Sequence, residues 1–481
     1  MTAQNMILPA VRSCEDLPGI TASSLAKIDW IEAAPEDALA AETVNRALET
    51  VGQSRRPVIA RTNIGTRNRI SLQHDPKLPP EDYILTTGHD TITVYGGSSA
   101  GVFYGAQSLA QIMACSAQAG GHELILPACR ISDGPRFPWR GLMLDSSRHF
   151  QPLNVIFALL DHMAEYKLNV FHWHFTDRQG WRPVFNCAPE LAEQLPANRT
   201  YSWGTYSRED MIAVRDYAAA RFIKVVPELE MPGHSAAVFK THPELACPLE
   251  NDPYAVDAWE FCIGNPEVKV FLKKLLAEIA EIFPGTPVIH IGGDEAGTAR
   301  WEQCPVCRKA LKEKNLPDLR ALEHDFMKEM SAEVLSMGLS PMSWGTHESA
   351  DFPKEMIVQD WLGGETARAL KCGCRVVSSV HLNNYFDYPA GDFDPVADWQ
   401  KKNYEFEPMP DGVDAGSAEL LLGGEGCIWT EQLPAQRVLP RSIPRMRALA
   451  EMLWSPAEKK DFNDFLLRER LLTSSGLLRY S

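Results

Sequence analysis

Short apolar runs recur along the chain from Gly141 onward, each closing on a polar or aromatic cluster and most followed by apolar residues at helical spacing. Eight are legible: Gly141–Asp145, Asn169–His174, Phe222–Val226, Val288–Gly292, Ser340–Trp344, Met356–Trp361, Arg375–Ser379 and Leu421–Glu425. This is the rhythm of βα units, and eight of them predict an α/β fold with a closed (β/α)8 TIM barrel. Leu153, Ile156, Phe157, Leu160 and Met163 mark a helix between the first two runs, and Pro266–Ile282 repeats the pattern between the third and fourth. Upstream the pattern differs. Strand-like Pro57–Ala60 and Thr91–Tyr95 precede an apolar helix from about Ala100 to Met113, which predicts a small α+β unit. Asp133-Gly134-Pro135 and Pro138 punctuate the chain, giving an N-terminal α+β domain over 1–135 and the barrel over 136–481.

Length agrees with two domains, since 481 residues exceed the roughly 250–300 at which single cores stop growing. A hydrophobic content of 45% and a charged content of 23% are those of globular chains. The net charge of −16 carries no basic stripe, so nucleic acid and anionic membrane surfaces are excluded as partners and a neutral ligand fits better. No stretch approaches the ~18 apolar residues of a membrane span. The first thirty residues are interrupted by Arg12, Glu15, Asp16 and Lys27, so no signal peptide is expected in this chain. Eleven cysteines, an odd number, favour free thiols and a cytoplasmic setting, with a secreted or periplasmic mature form as the alternative. Oligomeric state is not encoded in any of these patterns.

A barrel carries its site at the C-terminal ends of its strands, so the residues just after each run belong to one pocket. They are Arg148; His174 with Asp177; Glu230 with His234; Asp294 with Glu295; Trp344; Trp361; Tyr385 with Asp387; and Trp429 with Glu431. Aromatic faces stack on sugar C–H faces, and carboxylates and guanidinium forks bind paired hydroxyls, so the set suits a neutral pyranose. For any single tryptophan, capping the barrel core is the alternative.

Gly292-Gly293-Asp294-Glu295 is the sharpest local feature: two glycines permit a tight turn from which two adjacent acids emerge. In an ordinary retaining glycosidase the two carboxyl groups stand about 5–5.5 Å apart across the scissile bond. Neighbours on one strand fit that poorly. They fit a scheme in which one acid protonates the leaving oxygen and the other steers a nucleophile supplied by the substrate, such as a 2-acetamido carbonyl. Taken alone, the pair also suits a helix N-cap with a first-turn acid.

Five ordered segments resemble glycoside hydrolase family 20, the β-N-acetylhexosaminidases: Arg140–Phe150, His172–Arg182, Pro227–His234, His290–Glu295 and Cys427–Glu431. Ser98–Gly105 also looks like the closing segment of the small domain that precedes the barrel in that family. The resemblance implies an exo-acting retaining enzyme that removes terminal β-linked N-acetylglucosamine or N-acetylgalactosamine, with a glycan as partner and no cofactor. It implies Glu295 as general acid/base and Asp294 as the group that orients the acetamido group. Asp177 and His234 back the acid, Tyr385 binds the acetamido carbonyl, and Arg148, Glu431 and Asp387 bind the sugar. Trp344, Trp361 and Trp429 form the walls. Two positions depart from the common pattern: Arg178 stands where a second Asp is frequent, and Glu230 where Asp is commoner.

Two rivals keep the barrel. A metal-dependent hydrolase would draw ligands from His172, His174, His290 and Asp294. A non-catalytic sugar-binding protein would use the pocket without the acids. Separately, Cys304-Pro-Val-Cys307 and Cys372-Gly-Cys374 offer four thiolates for a structural zinc, against free thiols or a disulfide.

Overall fold

Tyr83–Gly88 and Thr91–Gly96 alternate buried with half-buried positions and pair antiparallel, the two-residue period of a sheet with one face in a core. They lie within a seven-stranded mixed sheet of order Ser13–Asp16, Cys129–Asp133, Tyr83–Gly88, Thr91–Gly96, Arg69–His74, Trp30–Glu32 and Val58–Ile59. The expected apolar helix is Ser99–Gln118, longer at both ends than the sequence suggests; it packs on the sheet beside Ala38–Thr50. The computed structural model of the chain describes residues 2–60, 68–89, 91–118, 124–193, 203–250, 252, 255–345, 353–388 and 396–475. By packing, the chain divides into two compact units: Met1–Pro138 with Ala164–Lys167 and Arg447–Ser481, and Trp139–Met163 with Leu168–Met446. In the first unit the last helix, Phe462–Ser474, sends the buried Arg468 onto Glu451 (Nη2–Oε1 2.6 Å) and the Ile7 carbonyl (3.0 Å).

The second unit is a closed barrel of eight strands, each parallel to its neighbours: β1 (Trp139–Asp145), β2 (Val170–His174), β3 (Lys224–Glu228), β4 (Val288–His290), β5 (Ser340–Trp344), β6 (Ile357–Asp360), β7 (Arg375–Ser378) and β8 (Leu421–Ile428). Every apolar run of the sequence became one of these strands. The helices Leu153–Glu165 and Pro266–Ile282 form where their periodicity places them. Asn265 caps the second through Glu267 N, Pro266 occupies its first turn, and Val268, Leu272, Leu275, Leu276, Ile279 and Ile282 are its buried face.

Because successive side chains alternate, residues two apart along each strand form successive layers of the barrel interior. Trp139, Val170, Val226, Val288, Met342, Ile357 and Val377 make one apolar layer. Two residues further along lies a polar layer containing His172, Glu228, His290, Gln359 and Glu425, all fully buried. Glu425 accepts from Trp139 Nε1 (3.0 Å) and Gln359 Nε2 (3.0 Å) and meets His172 Nδ1 (2.7 Å). A buried carboxylate survives only when its oxygens are met in this way.

Candidate active site

The chain leaves β4 at His290 and turns through Gly292 (φ 67°) and Gly293 (φ 103°). Those positive φ angles favour glycine at both positions, and a Cβ would also stand 2.0 Å from Glu230 Oε2 at the first and 2.4 Å from Ser343 Oγ at the second. Glu295 is itself left-handed at φ 50°, an uncommon backbone state for a residue with a side chain. The next helix, Ala299–Gln303, has Thr298 at its N-cap, so the acids form a turn of their own and not a helix cap. Asp294 is set back, with 13% of its side chain exposed, whereas Glu295 is 54% exposed. Burial pushes the Asp294 carboxyl up to about 6 although His234 opposes it. Glu295 is held below the ordinary range, first by the His234 imidazole beside its carboxyl, against burial.

Behind the acids runs a chain of charged contacts. His234 presents Nε2 to Glu295 Oε2 (3.5 Å) and Asp294 Oδ2 (3.8 Å), and Nδ1 to Asp177 Oδ1 (3.1 Å). The other Asp177 oxygen meets Arg148 Nη2 at 2.7 Å and His174 Nε2 at 3.0 Å. Burial disfavours a charged imidazole, but Asp177 and Asp294 outweigh it and raise His234 to about 12, so the ring is an imidazolium. Burial likewise opposes the Asp177 carboxylate, and Arg148 with His234 overrides it, holding its pKa well below the usual range. Glu230 goes the other way: burial, then Asp294 and Glu228, raise it well above its ordinary value.

Arg148, Asp177, Glu230, His234, Asp294 and Glu295 line a cavity of about 310 Å3 together with Trp361, Tyr385, Asp387, Tyr388, Trp429, Glu431 and Gln432. The Arg148 guanidinium lies 4.8 Å over the Trp429 ring, and its Nη2 is 3.6 Å from Glu431 Oε1. Burial lifts Asp387 to about 7 and also raises Glu431, which Arg148 opposes. Tyr385 is buried and held far above the phenol range by desolvation, so it keeps its proton. Asp294 Oδ1, Asp387 Oδ1, Trp361 Nε1 and Trp429 Nε1 are buried without a hydrogen-bond partner in the protein. Orphaned donors and acceptors in one aromatic-walled cavity mark a site for a neutral ligand bearing both kinds of group.

Residues 137–457 match the family model for the glycosyl hydrolase family 20 catalytic domain, and residues 4–134 match that for domain 2 of the same family. The chain belongs to glycosyl hydrolase family 20. A beta-hexosaminidase of Porphyromonas gingivalis is 33% identical over 424 residues, covering 83% of this chain and 54% of that relative. One from Akkermansia muciniphila is 31% identical over 422 residues, covering 83% of this chain and 84% of the relative. The chain therefore spans about half the length of the first and most of the second. An exo beta-N-acetylglucosaminidase from Vibrio harveyi, solved with N-acetylglucosamine, superposes with a TM-score of 0.86 at 25% identity, covering 100% of this chain and 78% of the other.

Within this family 20 barrel Trp344, expected as a wall, is not among the residues that line the cavity. Trp344 is fully buried behind the cavity lining, donates Nε1 to Glu228 Oε1 at 2.7 Å and packs on Trp429 with ring centroids 5.7 Å apart. Glu228 gathers His172, His174 and His290 around its two oxygens. His172, Glu228 and His290, and likewise His174, Asp177 and Glu230, stand close enough to offer ligands to one ion, and each imidazole also faces a carboxylate. Tyr388 and Gln432 line the cavity unannounced, although each lies within three residues of a named position, Tyr385 and Glu431. Cys304 and Cys307 gather with Cys247 and Cys262, and Cys372 and Cys374 have no part in that group.

Proposed function

We propose that the chain is an exo-acting retaining β-N-acetylhexosaminidase that hydrolyses terminal β-linked N-acetylglucosamine or N-acetylgalactosamine by substrate-assisted catalysis. The observation that carries this is the pairing of a half-exposed Glu295 with a recessed Asp294, whose Oδ1 has no partner in the protein, on one turn.

Glu295 donates its proton to the glycosidic oxygen as the bond to C1 breaks. The 2-acetamido carbonyl oxygen attacks C1 and closes an oxazolinium ring. Asp294 accepts the acetamido N–H and offsets the positive charge that develops, while the protonated Tyr385 donates to the carbonyl oxygen and orients it. Water then attacks C1 from the face the aglycone left, Glu295 takes the water's proton, and the product keeps its β configuration. His234 holds Glu295 in the carboxylate form, and a sugar seated over that carboxyl opposes this by excluding water and favouring the neutral acid. Arg148, Glu431 and Asp387 bind ring hydroxyls, and Trp361 and Trp429 wall the sugar, with Trp344 bracing Trp429 from behind.

The test compares a chromogenic β-N-acetylglucosaminide with the matching β-glucoside. Hydrolysis confined to the acetamido sugar is expected. Equal turnover of both would sink the substrate-assisted mechanism, and turnover of neither would leave a sugar-binding barrel.

A further inference from the structure

Away from the cavity, four cysteines from three backbone segments converge on one point. The Sγ atoms of Cys247, Cys262, Cys304 and Cys307 all lie within 4.8 Å of one another, and all four residues are buried. Three of the separations are 3.8 Å (Cys247–Cys307), 3.7 Å (Cys262–Cys304) and 3.6 Å (Cys262–Cys307). Sulfurs placed about 2.3 Å from a common centre at tetrahedral angles stand about 3.8 Å apart, the spacing of a four-thiolate zinc site. A disulfide needs about 2.05 Å. No pairing is preferred either, since Cys262 is equally near two partners.

The backbone is built around this point. Cys304 caps the helix Pro305–Glu313, and the Cys307 N–H reaches back to Cys304 Sγ at 3.5 Å, so the two thiols and the helix start form one knuckle. Cys262 opens a second tight segment, whose Gly264 lies so close to the knuckle that a Cβ there would stand 2.7 Å from Cys307 Cα. Cys247 is brought alongside by the bridge between Ala246 and Phe261 and by the Cys262 N–H donating to the Leu245 carbonyl at 2.9 Å.

We propose that these four cysteines bind one structural zinc ion in a closed tetrahedral site. The four thiols release four protons to solvent as Zn2+ binds, and no redox change is involved. The site joins the β3–β4 connection, which carries His234, to the segment after β4, which carries Asp294 and Glu295. Two hydrogen bonds run along the same seam: Gly297 N–H to Glu260 Oε1 (3.0 Å) and Trp301 Nε1 to the Phe261 carbonyl (2.9 Å).

The chain purified under reducing conditions, then dialysed against chelator, is expected to retain one zinc per chain by elemental mass spectrometry. Titration with an organomercurial should release that zinc as four thiols react. Replacement by Co2+ should give the thiolate charge-transfer and d–d absorption of a tetrahedral Co–S4 centre. C304S/C307S should lose the metal and C372S/C374S keep it; if the former fails to fold, the wild-type stoichiometry and the cobalt spectrum still decide. A metal-free protein, iron in place of zinc, disulfides among the four, or zinc retained by a folded C304S/C307S overturns the assignment.

Discussion

His234 stands between two acids: its Nδ1 is 3.1 Å from Asp177 Oδ1, and its Nε2 is 3.5 Å from Glu295 Oε2. The imidazolium so trapped sets the proton affinity of the exposed acid from behind, and Asp177 sets that of the imidazolium.

Glu295→Gln removes the proton donor and leaves its neighbours in place. A loss of about 10²–10⁴-fold in kcat is expected on a substrate with a poor leaving group, with a smaller loss when the leaving group is a nitrophenolate that needs little protonation. Initial rates on the two substrates check this, and an unchanged kcat on the poor leaving group would remove Glu295 from its role.

Asp294 is displaced from its ordinary 3.8 to about 6, so between those pH values the folded chain binds more protons than the unfolded one. Stability therefore falls as pH rises through that window, and the cost is fully present at neutral pH. Asp294→Asn is expected to raise the melting temperature at pH 7, by the equivalent of up to about 3 kcal/mol, and to raise it less at pH 4.5. The same variant should lose about 10²-fold or more in kcat. Thermal denaturation at the two pH values decides, and an equal or lower Tm at pH 7 counts against the burial account.

Asp177→Asn leaves Arg148 and His234 without their shared carboxylate. A loss of about 3–5 kcal/mol of stability is expected from the broken buried pair. A structural role alone would stop there. Because His234 then loses protons more readily and no longer pulls Glu295 down, the limb of the kcat/KM profile that reports Glu295 should also move to higher pH. A profile that keeps its position in a folded variant would contradict the relay.

Arg178 stacks its guanidinium 4.5 Å from the centre of the Trp259 ring, itself 5.6 Å from that of His234, and it is absent from the cavity lining. Arg178→Asp should leave hydrolysis of small aryl glycosides within about twofold and change KM for longer oligosaccharides by about 2–5-fold, the worth of a cation–π contact. Equal effects on both substrate classes would place Arg178 at the reacting sugar instead.

The barrel was legible because it is written locally. Runs such as Ser340–Trp344 and the capped periodicity of Pro266–Ile282 carry their structure in two- and four-residue spacing, and strand-end residues gather in any closed parallel barrel. That is how Arg148, Asp177, His234, Asp294 and Glu295 were placed together from separate segments.

What lay outside the sequence is what depends on distance across the barrel. The Asp294–Glu295 pair suited a helix cap until the positive φ angles of Gly292, Gly293 and Glu295 made it a turn. Trp344 was expected as a wall and lies one layer back, because Glu228 on a strand 116 residues earlier holds its indole. The Cys304-x-x-Cys307 motif announced a ligand pair, and its spacing said nothing of the other pair: folding supplied Cys247 and Cys262, not Cys372 and Cys374. Sequence alone determined which residue types and turns were available; the charge on His234, the raised proton affinity of Glu230 and the convergence of four sulfurs were decided by burial and by neighbours that only the closed fold brings within a few ångströms.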